Sequence, residues 1–193
     1  MGNNIMGAGR LQVKELLGPN GNTAMTIDTS GRAHIPAIAF KALKHPGGNW
    51  TDGGGEGNSV IFNTIFFNQG FTEYDITTDG RIYAPVDGIY RVSYQFLLNS
   101  QSSNANTMYT AVMKNHTGTT ANASNYQVTT YDYWDGANND YTRVGATTLV
   151  RLTTADYFAV CIHTGSVTWY GGDNASASYS YNQCSCELVG TLN

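Results

Sequence analysis

Residues 60–94 read VIFNTIFFNQGFTEYDITTDGRIYAPVDGIYRVSY, and this stretch decides the fold. An apolar run from Val60 reaches a turn at Asn68 and Gly70. A short segment follows around Tyr74 and Asp75, then a corner at Pro85-Val86-Asp87-Gly88. Beyond the corner, Tyr90, Val92, Tyr94, Phe96 and Leu98 alternate with Ile89, Arg91, Ser93, Gln95 and Leu97. A period of two marks a strand with one face on a core. Pro85 presets φ at the corner, Gly88 permits a conformation that other residues avoid, and Tyr90 starts the core-filling strand.

The same pattern extends outward. Residues 39–43 (AFKAL), 108–115, 146–152, 156–163 and a segment within 178–189 read as further strands between Gly-, Asn- and Ser-rich turns. Short strands punctuated this way predict an all-β jelly-roll sandwich. Residues 156–163 (DYFAVCIH) are apolar on both faces, so the outward one needs cover from a second layer or another subunit. The glycine-rich residues 47–58 lack a following Lys-Ser/Thr and an opening helix, and read as a surface loop rather than a phosphate cradle.

Residues 1–38 form a different segment. A Gly18-Pro19-Asn20-Gly21 turn precedes two short strands joined by Asp28-Thr29-Ser30-Gly31. So little apolar surface implies pairing with other copies or with a partner. Two regions are therefore expected: an anchoring linker, 1–38, and a jelly-roll head, 39–193.

Composition narrows the function. Only 12% of the 193 residues are charged, while Tyr (13 residues) and Gly (22 residues) are abundant. Low charge with many tyrosines suits a surface partly covered by neighbouring subunits. Residues 1–48 carry five cations (Arg10, Lys14, Arg32, Lys41, Lys44) against Glu15 and Asp28, net +3; the remainder has five basic and twelve acidic residues, net −7. A basic foot could dock on an acidic partner, but no basic stripe suits nucleic acid. No apolar run reaches the roughly eighteen residues of a membrane span, and the first residues lack the pattern of a secretory signal. Sequons begin at Asn49, Asn115, Asn122 and Asn174, and without such a signal they are expected to stay unglycosylated. The odd count of cysteines (Cys161, Cys184, Cys186) argues for buried free thiols, unless Cys161 bridges one of the others from an adjacent strand.

The order of an apolar strand, Asn68-x-Gly70, Tyr74-Asp75 and Pro85-x-x-Gly88-x-Tyr90 resembles the globular head of the complement first-component q subunit. Residues 108–115 and 148–160 extend the resemblance, which covers roughly 39–190. It implies a tumour-necrosis-factor-like jelly roll, commonly a tight trimer, that binds or builds rather than catalyses. It also allows calcium near a three-fold axis, with no ligand placed on this sequence. Ala155 stands where the family has Gly, and Asn182 to Cys186 replace its Phe-Ser-Gly-Phe ending, which puts the trimer's central packing in doubt. Thr26-Ile27-Asp28-x-Ser30-Gly31-Arg32 with Pro36 and Phe40 resembles linkers before head domains in phage virion proteins.

No constellation points to catalysis. His34, His45, His116 and His163 fit no zinc-protease spacing, and there is no G-x-S-x-G elbow or CxxC. Asp132, Asp135 and Asp140 do not follow a calcium-loop spacing. Tyr131, Tyr133, Trp134, Asp135, Trp169 and Tyr170 have the composition of a surface that stacks on sugars or protein epitopes. The same rings could instead pack loops onto the sandwich. Tyr90, Tyr94, Phe96, Tyr157 and Phe158 are the rings expected to hold subunits together. The sequence thus reads as a non-enzymatic phage virion protein, a trimeric head, fibre or decoration. Residues 1–38 would anchor it to other virion proteins, and a host-surface glycan or protein is the expected outer partner. A secreted lectin-like protein of the same fold is the alternative.

Overall fold

The computed structural model describes residues 15–17, 23–27, 29–34, 37–44, 50–51, 58–97, 106–116, 125–134, 143–164, 168–169 and 181–192. They fall into two compact units, residues 1–37 and 38–193. The first holds a three-stranded antiparallel sheet: β1 (Glu15–Leu17), β2 (Thr23–Ile27) and β3 (Ala33–His34).

The second unit is a sandwich. Its strands are β4 (Ala39–Lys44), β5 (Trp50–Thr51), β6 (Asn58–Ser59), β7 (Thr64–Gln69), β8 (Tyr74–Asp75) and β9 (Arg81–Tyr83). They continue with β10 (Gly88–Leu97), β11 (Asn106–Lys114), β12 (Tyr126–Trp134) and β13 (Arg143–Leu152). The series ends with β14 (Tyr157–Thr164), β15 (Thr168–Trp169) and β16 (Asn182–Thr191). One sheet has five strands in the order β13-β10-β16-β4-β7. The other runs β12-β11-β14-β9-β8, with β6 also on β14, and β15 pairs β5 in a small ribbon. The chain crosses repeatedly between the two sheets, as in a jelly roll, while the β8–β9 and β11–β12 pairs each stay within one sheet.

The corner before β10 is built as the residue types demand. Tyr90 donates its hydroxyl to the Val86 carbonyl at 2.7 Å, and burial pushes its pKa up to about 12. Gly88 serves a different need from the one expected. Its φ is not in the left-handed region. Instead a Cβ there would come within 2.3 Å of Leu188 Cδ1 and 2.8 Å of the Gly190 carbonyl, so glycine makes room for β16. At the Asn68 turn, Gly70 does take φ 87°, and the Asn68 amide bonds both the N–H and the carbonyl of Phe71.

The core is aromatic and lies between the sheets. Phe40 packs on Phe71 (5.5 Å between centroids), Phe71 on Tyr90 (6.1 Å), and Tyr94 on Phe96 (5.6 Å). Tyr90, Phe96 and Phe158 have no exposed surface, and Tyr94 retains 4%. These are the rings that the sequence suggests for the subunit contact, and within one chain they are already buried. They face the second sheet of their own chain and leave no area for a neighbour. Tyr157, 8% exposed, is covered by Tyr83 at 5.2 Å and by the Arg81 guanidinium at 5.0 Å. All three cysteines are free and buried, and Cys184 and Cys186 lie within the main core.

Candidate interaction face

The two outer faces of the sandwich differ. On the six-stranded sheet, Ala111, Met113, Ala159 and Cys161 lie apart from the main core yet are each 3% exposed or less. The apolar outer side of residues 156–163 is therefore already covered within one chain. On the five-stranded sheet the outward rows are open. Thr147, Ser93, Ser185 and Lys41 form one cross-strand row; Leu149, Arg91, Glu187 and Ala39 form the next. Ser93 and Thr147 hydroxyls are 2.8 Å apart, and Arg91 Nη1 donates to Glu187 Oε1 at 2.7 Å.

A trough of about 530 Å3 crosses this face over Ser93, Gln95, Arg143, Thr147, Gln183 and Ser185. A hollow of about 230 Å3 continues it toward Ala39 and Phe67. Exposed apolar side chains frame both: Leu149 (60%) on one edge strand, Phe66 (53%) and Phe67 (44%) on the other. Ile89 and Val189 are exposed near one end of the face, and Lys41 Nζ lies 5.1 Å over the Phe66 ring. Hydroxyls, amides, cations and scattered apolar side chains can bind a partner surface; they hold no nucleophile with its base.

A polar knot fixes one end of the sandwich. Asp156 accepts from Lys114 Nζ (2.8 Å), Asn115 Nδ2 (2.6 Å), Thr153 N (2.7 Å) and Thr153 Oγ1 (2.9 Å). Burial alone would raise its pKa, but these donors outweigh burial and hold the carboxyl well below the usual range. Asn115, at φ 51°, also receives the Tyr157 N–H on Oδ1. Both carboxylate oxygens are thus engaged in structure, Oδ2 by three donors and Oδ1 by one. Among the described residues, no group of three or more His, Cys, Asp or Glu could hold a metal ion.

Of the expected recognition residues, Tyr131, Tyr133 and Trp134 have their backbones on β12, an edge strand, opposite Tyr109, Thr107 and Asn106. Trp169 pairs with Trp50 in the β15–β5 ribbon. These residues belong to separate sheets; their side chains, together with Asp135 and Tyr170, lie outside the described residues. Sequence reasoning missed the open face itself. Its signal was present in the polar alternate positions Arg91, Ser93 and Gln95, which show a side away from the core without showing that it is uncovered.

No protein-family model matches the chain, and no curated protein matches it. Among solved structures the fold is similar to that of Eiger TNF from S. frugiperda, with a TM-score of 0.58 at 10% identity over 82% of this chain and 96% of that one. It is also similar to the globular domain of zebrafish complement 1qA protein, with a TM-score of 0.53 at 13% identity over 80% and 99% of the two chains. The head is an all-β two-sheet sandwich resembling tumour-necrosis-factor and complement head domains.

Proposed function

We propose that the chain is a non-enzymatic, homotrimeric display head of a bacteriophage virion, carried on residues 1–37 and contributing to attachment at a host surface. One observation carries the trimeric part. Of the two outer sheet faces, one is covered within the chain where β11 and β14 meet, and the other is open, hollowed and framed by exposed Leu149, Phe66, Phe67, Ile89 and Val189. Exposed apolar groups concentrated on one face mark an interaction surface. A head-to-tail contact using both edges of one face generates a closed three-membered ring when each copy is rotated by a third of a turn. The fold itself is one that usually trimerises and is typically non-enzymatic, in keeping with this reading. The virion part is supported by the linker-like sequence of β2 and β3, which forms a unit of its own.

Light-scattering mass on a sizing column tests the assembly: a species near three times 20.9 kDa is expected, and a monomer at all concentrations overturns it. Gold-labelled antibody against the head, applied to purified phage particles, tests the location. Label in the unassembled fraction alone would sink the virion assignment.

A further inference from the structure

The open face is basic on an acidic protein. The chain carries a formal charge of −4. Yet the outward positions of the five-stranded sheet hold four cations (Lys41, Arg91, Arg143, Arg151) and a single carboxylate, Glu187. That carboxylate is already bonded to Arg91 at 2.7 Å. Among the described residues, Arg143 and Arg151 have no acidic partner. Among the described residues, three positive charges per chain are therefore left without a carboxylate partner on the face assigned above to the subunit contact. Closing three copies over it removes water from like charges, which costs free energy unless opposite charge enters with them.

We infer that the trough lined by Ser93, Gln95, Arg143, Thr147, Gln183 and Ser185 takes up an oxyanion of the phosphate or sulfate class as the trimer closes. The trough has the chemistry for it. Arg143 offers a planar fork of N–H donors that suits a tetrahedral oxyanion. The hydroxyls and amides around it donate without adding negative charge. The volume of about 530 Å3 exceeds what one such ion needs, leaving room for its water. The site is complete only when neighbouring copies enclose it, so the inference rests on the trimeric reading.

Sedimentation of the intact chain over a dilution series tests it, at constant ionic strength, in chloride, inorganic phosphate, inorganic sulfate or dextran sulfate. Phosphate and sulfate are expected to hold the trimer together at protein concentrations where chloride lets it dissociate. Arg143→Gln should remain folded and raise the half-saturating phosphate concentration at least about tenfold, since a charge-assisted donor pair is lost. Association indifferent to the identity of the anion places the balancing charge on the neighbour's own carboxylates and overturns the site while leaving the trimer standing. Stabilisation by dextran sulfate alone overturns enclosure, because a polymer acts from outside. A monomer in every buffer overturns the trimer and the anion site together.

Discussion

The hydroxyl of Tyr94, on the five-stranded sheet, lies 2.9 Å from Thr110 Oγ1 on the six-stranded sheet, and 3.3 Å from Thr130 Oγ1. It is a polar clasp inside an apolar interior, with Thr110 fully buried. Burial raises the Tyr94 pKa against the two hydroxyl bonds, so the phenol stays neutral and free to donate.

Tyr94→Phe is therefore expected to cost about 1–2 kcal/mol in denaturant unfolding, because a buried threonine hydroxyl loses its partner while the ring still packs. A change below about 0.3 kcal/mol would show that the clasp is replaceable by water. Phe96→Ala removes a fully buried ring and should cost about 3–5 kcal/mol.

Gly88→Ala tests whether the corner needs space. Contact at 2.3 Å with Leu188 Cδ1 and 2.8 Å with the Gly190 carbonyl predicts a loss of about 1–3 kcal/mol. Adding Leu188→Ala should not restore wild-type stability, because the carbonyl clash is with backbone. A neutral Gly88→Ala would mean that β16 shifts freely.

Asp156 gives the fold an acid-sensitive element. Its folded pKa lies below its unfolded value near about 4, so its contribution is complete above that value and is lost as pH falls through the folded pKa. Unfolding free energy should decline from about pH 4 downward. Asp156→Asn should be less stable at neutral pH and show a flatter acid limb. Parallel curves for the two proteins would assign the acid sensitivity to other carboxylates.

Leu149→Asp or Phe67→Asp should convert a trimer to a species near 20.9 kDa without altering far-ultraviolet circular dichroism. Both side chains are exposed, so the folded monomer loses little. A trimer that survives both substitutions would move the contact off this face.

Much of the sandwich was legible because burial imposes a period of two. Tyr90, Val92, Tyr94 and Phe96 had to share a buried face, and they do. Periodicity says that a face is covered, not by what, so the same rings could be assigned to a subunit contact when they in fact meet the chain's own second sheet. The Arg91–Glu187 pair joins residues 96 apart, and no local pattern announces which strands become neighbours. Gly88 was legible as a constraint but not as to its kind, since crowding by Leu188 depends on a strand a hundred residues away. Trp134 and Trp169 were linked by composition alone, and backbone pairing puts them in different sheets.

The strand order has a consequence for how the head is made. β16 is the middle strand of its sheet, zipped between β10 and β4. Until residues 182–191 have left the ribosome, β4 and β10 have no partner in common and the aromatic interior has no lid. Pairing that must wait this long is slow and exposes unpaired strands in the meantime. A chain stopped early in synthesis cannot yield a smaller working head. The fold thereby admits only chains translated through residue 191.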